Sequence, residues 1–152
     1  MRHLDAIALG GFLAGTLDIL AAFAMSWPRV APARVLQSIA SGLLGRSAFQ
    51  GGARTAAVGL LLHFVIATGA AAAYYVASRQ WTLLRSRPIA CGQAYGVVVY
   101  LVMNLVVLPL SQIGVRMPAW QSAALLIVIH MVCVGLPIAL ATARAHDRHA
   151  SQ

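Results

Sequence analysis

The sequence predicts an all-α membrane protein, a single-domain four-helix transmembrane bundle running up-down-up-down, with a short interfacial helix between the first and second spans. Three observations predict it. Of 152 residues, 61% are hydrophobic and only 9% are charged, too few charges to cover the surface of a soluble domain this long. The mean hydropathy is +0.81. Apolar runs recur at residues 6–26, 54–77, 89–113 and 120–143, each near or above the ~20 residues that cross a ~30 Å hydrocarbon core. Lipid offers no water to satisfy backbone groups, so such runs fold as helices.

The first run contains a small-x-small pattern at Ala22-Phe23-Ala24, as a cleaved leader would. Asp18 interrupts its apolar region just before that point, and Arg2 is balanced by Asp5, so it reads as an uncleaved span. The connection that follows is not plain loop. Beyond Pro28 and Pro32, residues 33–49 place Val35, Leu36, Ile39, Leu43 and Leu44 at helical spacing among Arg34, Gln37, Ser38 and Ser41. This segment is too short and too polar to cross, and reads as a helix lying in the interface. A re-entrant element lining a pathway is the alternative. Gly51-Gly52 punctuates the entry into the second span. The third span carries Pro109 near its end and the fourth carries Pro137. Each proline removes a helical donor, leaving the carbonyls of Leu105 and Cys133 without their usual partners and kinking the helix.

The net charge of +8 comes from eleven arginines, with no lysine and no glutamate. All the arginines lie in connections, tails or helix ends, as expected for phospholipid headgroups, and no basic cluster with interleaved aromatics suggests nucleic acid. The densest set, in "SRQWTLLRSRP", belongs in the cytoplasm by the positive-inside rule, which puts both termini there too. Trp27, Trp81 and Trp120 fall at helix ends, where an aromatic belt would hold them. Cys91 and Cys133 form no CxxC and read as small packing residues. The tail "RAHDRHASQ" reads as a solvated end in contact with headgroups. There is no phosphate loop, no glutamate for a carboxylate pair and no GxSxG elbow, so a non-enzymatic protein is expected.

The most informative feature is a polar layer. Each span carries one strongly polar residue near its middle: Asp18, His63, Asn104 and His130. Counted from the helix ends at 1.5 Å per residue, all four lie roughly 12–15 Å below one surface. Small residues share their faces: Gly11 and Gly15 with Asp18, Gly59 and Ala67 with His63, Gly92 and Gly96 with Tyr100 and Asn104. Two of these faces contain GxxxG, a signature of close helix contact. The layer therefore points toward other helices.

Several readings of it remain open. It can be glue, through interhelical hydrogen bonds worth ~0.6 kcal/mol each. It can handle protons or cations, because Asp and His change charge and an isolated carboxylate at mid-depth costs about 2.5–3.5 kcal/mol on insertion scales. Asp18, His63 and His130 form a two-His, one-carboxylate set for a metal, and His63 with His130 offers axial ligands for a b-type haem. No cofactor is predicted outright. A small accessory subunit docking its GxxxG faces on a larger membrane complex is the remaining class.

The succession "LHFVIATGAAAAYYVA", "YGVVVYLVMNLVVLPLSQIG" and "ALLIVIHMV" resembles the YagU-type family of small bacterial inner-membrane proteins over residues 55–135. His63, Pro109-Leu110 and His130 carry the resemblance. Asn104 stands where some members of that family have histidine, and the first connection is more compact here than in that family. The resemblance implies a bacterial inner-membrane location and raises homodimerisation as an expectation. It implies no defined activity.

Overall fold

The computed structural model describes the backbone of residues 3–114 and 119–150 and the side chains of residues 4–114 and 119–146. Arg2, Arg116, Asp147, Arg148 and His149 of the charge pattern and the tail lie outside the side chains described. About 90% of the chain is helical, with no strand among the described residues. Helix α1 is His3–Ser26, α2 is Pro32–Leu44, α3 is Gly52–Gln80 and α4 is the short Leu83–Ser86. Helix α5 comprises Pro88–Val102, a π-helical turn Met103–Val107 and Leu108–Leu110. Helix α6 comprises Trp120–Ile129, a π-helical turn His130–Gly135 and Leu136–Ala150.

Four helices are long and apolar enough to cross a membrane: Leu4–Ser26, Gly52–Gln80, Pro88–Leu110 and Trp120–His146. The chain is a multi-pass membrane protein. The second span overruns its sequence estimate at both ends. The third stops at Leu110 rather than 113, because Ser111 turns to an extended conformation just after Pro109.

The four spans pack antiparallel, and glycines determine where they touch. A Cβ on Gly11 would sit 2.7 Å from the Thr68 backbone, and one on Gly15 would sit 2.8 Å from the Phe64 ring, so α1 lies directly on α3. On its other side α1 meets α6, where Gly10 faces Ile138 and Ala141. Helices α5 and α6 approach backbone to backbone. Gly92 packs on Gly135 and Leu136, Gly96 on the His130 carbonyl and Met131, and Gly135 on the Gly92 carbonyl. Small residues supply this adhesion in membranes, where lipid tails leave no hydrophobic drive between helices. The GxxxG faces at Gly11/Gly15 and Gly92/Gly96 are thus used within the chain. The lipid-facing sides remain apolar, with Leu61 65% and Val76 61% exposed.

The π-helical turns have a common cause. In each, a leucine amide reaches back five residues to a methionine carbonyl, Leu108 to Met103 and Leu136 to Met131. A proline follows immediately in both cases. The widened turn makes room for a ring that would clash with the carbonyl four residues earlier.

Helix α2 departs from a simple interfacial helix. It lies against α3, with the Leu36 carbonyl and Ala40 over Gly59. Gln37, only 5% exposed, donates from Nε2 to the Gly52 carbonyl at 3.0 Å. The Gln112 amide donates to the Gly42 carbonyl at 3.0 Å, tying the end of α2 to the end of α5. A 3-10 segment, Gly45–Gln50, then leads into α3. Trp27, Trp81 and Trp120 are 67%, 66% and 76% exposed at the span ends, as a belt position requires.

Glycine 135 provides a direct test of this packing. Gly135→Ala forces the α5 and α6 backbones apart and should lower stability in detergent by roughly 1–3 kcal/mol, the usual cost of overpacking. Gly69, with nothing within 4 Å of a new Cβ, is the control. Gly69→Ala should be neutral or stabilising by roughly 0.5–1 kcal/mol. Thermal unfolding midpoints of the two variants should move in opposite directions, or only the first should move.

Candidate functional site: a polar cavity inside the bundle

The bundle is not solid. Between α1, α2, α3, α5 and α6 lies a cavity of about 270 Å³. Among the described residues, Asp18 of α1, His63 of α3 and His130 of α6 are its only charged or hydrogen-bonding side chains. The rest of the wall is alanine, valine, isoleucine, leucine and methionine. Val35 and Ile39 of α2, with Met25 and Met103, line the end nearest α2. Toward the end bearing the termini its wall is Ala14, Ala70, Val99 and Val134. Beyond these lies the tightest part of the core, where Tyr74 and Tyr95 meet edge-on at 4.9 Å. Tyr95 donates to the Ala70 carbonyl at 2.7 Å and Tyr74 to the Leu84 carbonyl at 2.9 Å, so both phenols are satisfied and the floor is tied to α3 and α4.

A second space of about 320 Å³ lies between α2, α3 and the outer part of α5, lined by Ser38, Leu43, Leu62, Val107 and Ser111 among others. The two spaces share Ile39, Ile66 and Met103.

Each histidine is fixed by a backbone carbonyl. His63 Nε2 lies 2.8 Å from the Gly15 carbonyl of α1, and His130 Nδ1 lies 2.8 Å from the Leu126 carbonyl of its own helix. A carbonyl oxygen only accepts, so His63 carries its proton on Nε2 and His130 on Nδ1. The other nitrogen of each neutral ring keeps a lone pair. Ring contacts complete the positioning: Phe64 lies edge-on to His63 at 5.6 Å and Tyr100 edge-on to His130 at 5.5 Å. Asp18, one turn beyond Gly15, makes no hydrogen bond or ion pair with any described residue. It lines the same cavity as His130 and Val134 of α6.

Three members of the predicted layer therefore share one chamber. The fourth does not. Asn104 is absent from the cavity wall, and its Nδ2 donates to the Tyr100 carbonyl of its own helix at 2.8 Å. The depth count assumed a third span running past residue 110. The span ends three residues earlier, at Leu110, but Asn104 still stands beside Met103, which does line the cavity, so the direction of its side chain rather than its depth takes it off the wall. Its place across from His130 is taken by Tyr100. Among the described residues no three His, Cys, Asp or Glu side chains come close enough to hold a metal ion. Asp18, His63 and His130 line a space; they do not form a coordination sphere.

Several features escape the sequence reading. The repeat Met-x4-Leu-Pro, at 103–109 and again at 131–137, marks both π-helical turns and is visible once prolines are aligned. At the terminus-bearing end, His146 is not a solvated tail residue. Its ring stacks on Tyr75 at 5.4 Å, with Ser78 at 3.3 Å from Nε2 and Arg85 at 3.5 Å from Nδ1. A guanidinium only donates, so Nδ1 accepts from Arg85 and Nε2–H points to Ser78, which in turn donates to the Tyr75 carbonyl at 2.7 Å. Cys91 and Cys133 are both free and half-buried.

The chain matches no family model, and no curated protein or solved structure is similar to it.

The two fixed rings predict a spectroscopic difference. In ¹⁵N spectra of the full chain at a pH where the rings are neutral, His63 should appear as the Nε2–H tautomer and His130 as the Nδ1–H tautomer. Identical tautomers at the two sites would contradict the hydrogen bonding described.

Proposed function

We propose that this chain is a small, non-enzymatic protein of a bacterial inner membrane, with both termini cytoplasmic, whose Asp18–His63–His130 cavity handles protons or cations. The observation that carries the reading is that three side chains able to change charge, each from a different helix, are the polar lining of an otherwise apolar chamber. Ionisable groups at membrane depth are costly and mark ion pathways and proton relays.

The competing reading, a layer that merely glues helices, fits only one member. His63 bonds another helix, whereas His130 and Asn104 bond their own. Interhelical glue comes instead from glycine contacts and Tyr95. An acid retained at this depth without a glue role calls for another reason. The resemblance to YagU-type proteins is compatible with this location and supplies no activity. Homodimerisation remains part of the proposal through that resemblance alone, since the GxxxG faces are occupied within the chain.

The test is flux in liposomes carrying the purified full chain. Proton or monovalent-cation uptake driven by an imposed gradient should exceed that of empty vesicles. Asp18→Asn should reduce it at least tenfold and His63→Ala severalfold, with monodispersity in detergent unchanged. Wild-type flux equal to that of empty vesicles, or full flux in Asp18→Asn, removes the reading.

A further inference from the structure

If the chamber is a cation-handling site, the reading on which this inference rests, its composition narrows the choice of cation. Hard metal cations are held by several oxygen ligands. Here Asp18 is the single oxygen-bearing acid in a wall of Ile19, Ile66, Val99, Leu126 and similar side chains. Stripping water from an inorganic ion to place it there would be repaid at one point only. An organic cation presents the opposite balance: one charge to pair, and an apolar body that gains by leaving water.

We infer that the chamber binds a small lipophilic monoamine in its protonated form, the ammonium group paired with Asp18 and the hydrocarbon body lying against the apolar wall. Ligand pockets are mostly apolar with a few placed polar groups, and this one has that character. Its volume of about 270 Å³ is at the small end for organic ligands, roughly 300–1,000 Å³, which sets a limit near a single ring with a short chain. The histidines suit the same ligand. In their neutral forms the nitrogens left free, Nδ1 of His63 and Nε2 of His130, are acceptors for an ammonium N–H. The three polar groups do not converge on one point, so the ammonium meets Asp18 and at most one ring, and the body extends across the space.

The probe pair is 4-fluorophenethylamine and its uncharged analogue 4-fluoropropylbenzene, followed by ¹⁹F NMR on the full chain in detergent micelles, with empty micelles subtracted. The amine should bind at least tenfold more tightly than the analogue. Asp18→Asn should remove that preference, leaving both weak. Ala22→Phe, which fills the chamber and leaves its charges in place, should abolish amine binding and guards against misfolding of the first variant. Equal affinity for the two probes in the wild-type chain overturns the inference, as does a preference that survives Asp18→Asn or amine binding that survives Ala22→Phe. Absence of amine binding in a chain that still carries proton or inorganic-cation flux overturns this inference alone, and leaves the proposed function intact.

Discussion

Close backbone approach at a few glycines is the constraint on which the rest of this structure depends. Within a bilayer, burying apolar side chains between helices gains little, because lipid is as apolar as leucine. Helices are held instead largely by close packing and interhelical hydrogen bonds, and backbones approach closest where no Cβ intervenes. Gly92, Gly96 and Gly135 bring α5 and α6 into backbone contact, Gly11 and Gly15 seat α1 on α3, and Gly59 receives α2. These contacts determine register, and register determines which polar residues meet. Gly96 against the His130 carbonyl brings Tyr100 to the His130 ring.

The chamber arises from the same constraint. The glycine seams lie between pairs of neighbouring helices, so tight contact there leaves larger side chains to meet around the axis. Toward the terminus-bearing end, tyrosines and Ile138 fill that space. Toward the other end, alanines and the two widened turns leave it open, and α2 contributes Val35 and Ile39 to its wall. The π-helical turns put His130 and Met103 at the rim. Such turns recur at functional sites in helical proteins, and here the proline requirement, the open volume and the ionisable groups coincide.

Much of this was legible in the residues. The spans follow from hydropathy and length, since lipid imposes a simple length rule. Asp18, His63 and His130 line one cavity, and helical rise, which converts residue counts into depth, is what groups them in the sequence. Asn104 stands off the cavity wall with its side chain on the Tyr100 carbonyl of its own helix, a direction that a count of depth does not encode. Helix α2 was legible as an amphipathic segment, but its seat over Gly59 depends on a long-range fit that periodicity does not encode. His146 looked like tail because charged neighbours surround it in sequence, while its partners Tyr75, Ser78 and Arg85 come from α3 and α4. Gly135 lacked a GxxxG signature and was missed, although it lies between the two glycines it packs on.

The central claim is that His63 is held against α1 at Gly15 and thereby faces a chamber shared with Asp18 and His130. The most direct measurement is a dipolar recoupling experiment on the full chain in lipid bilayers, with ¹⁵N in the histidine rings and ¹³C in the glycine carbonyls. A strong coupling between His63 Nε2 and the Gly15 carbonyl carbon, as the 2.8 Å hydrogen bond requires, is the result the account predicts. No measurable coupling between them would mean that α1 and α3 meet in another register, and the chamber described here would lose one of its three polar walls.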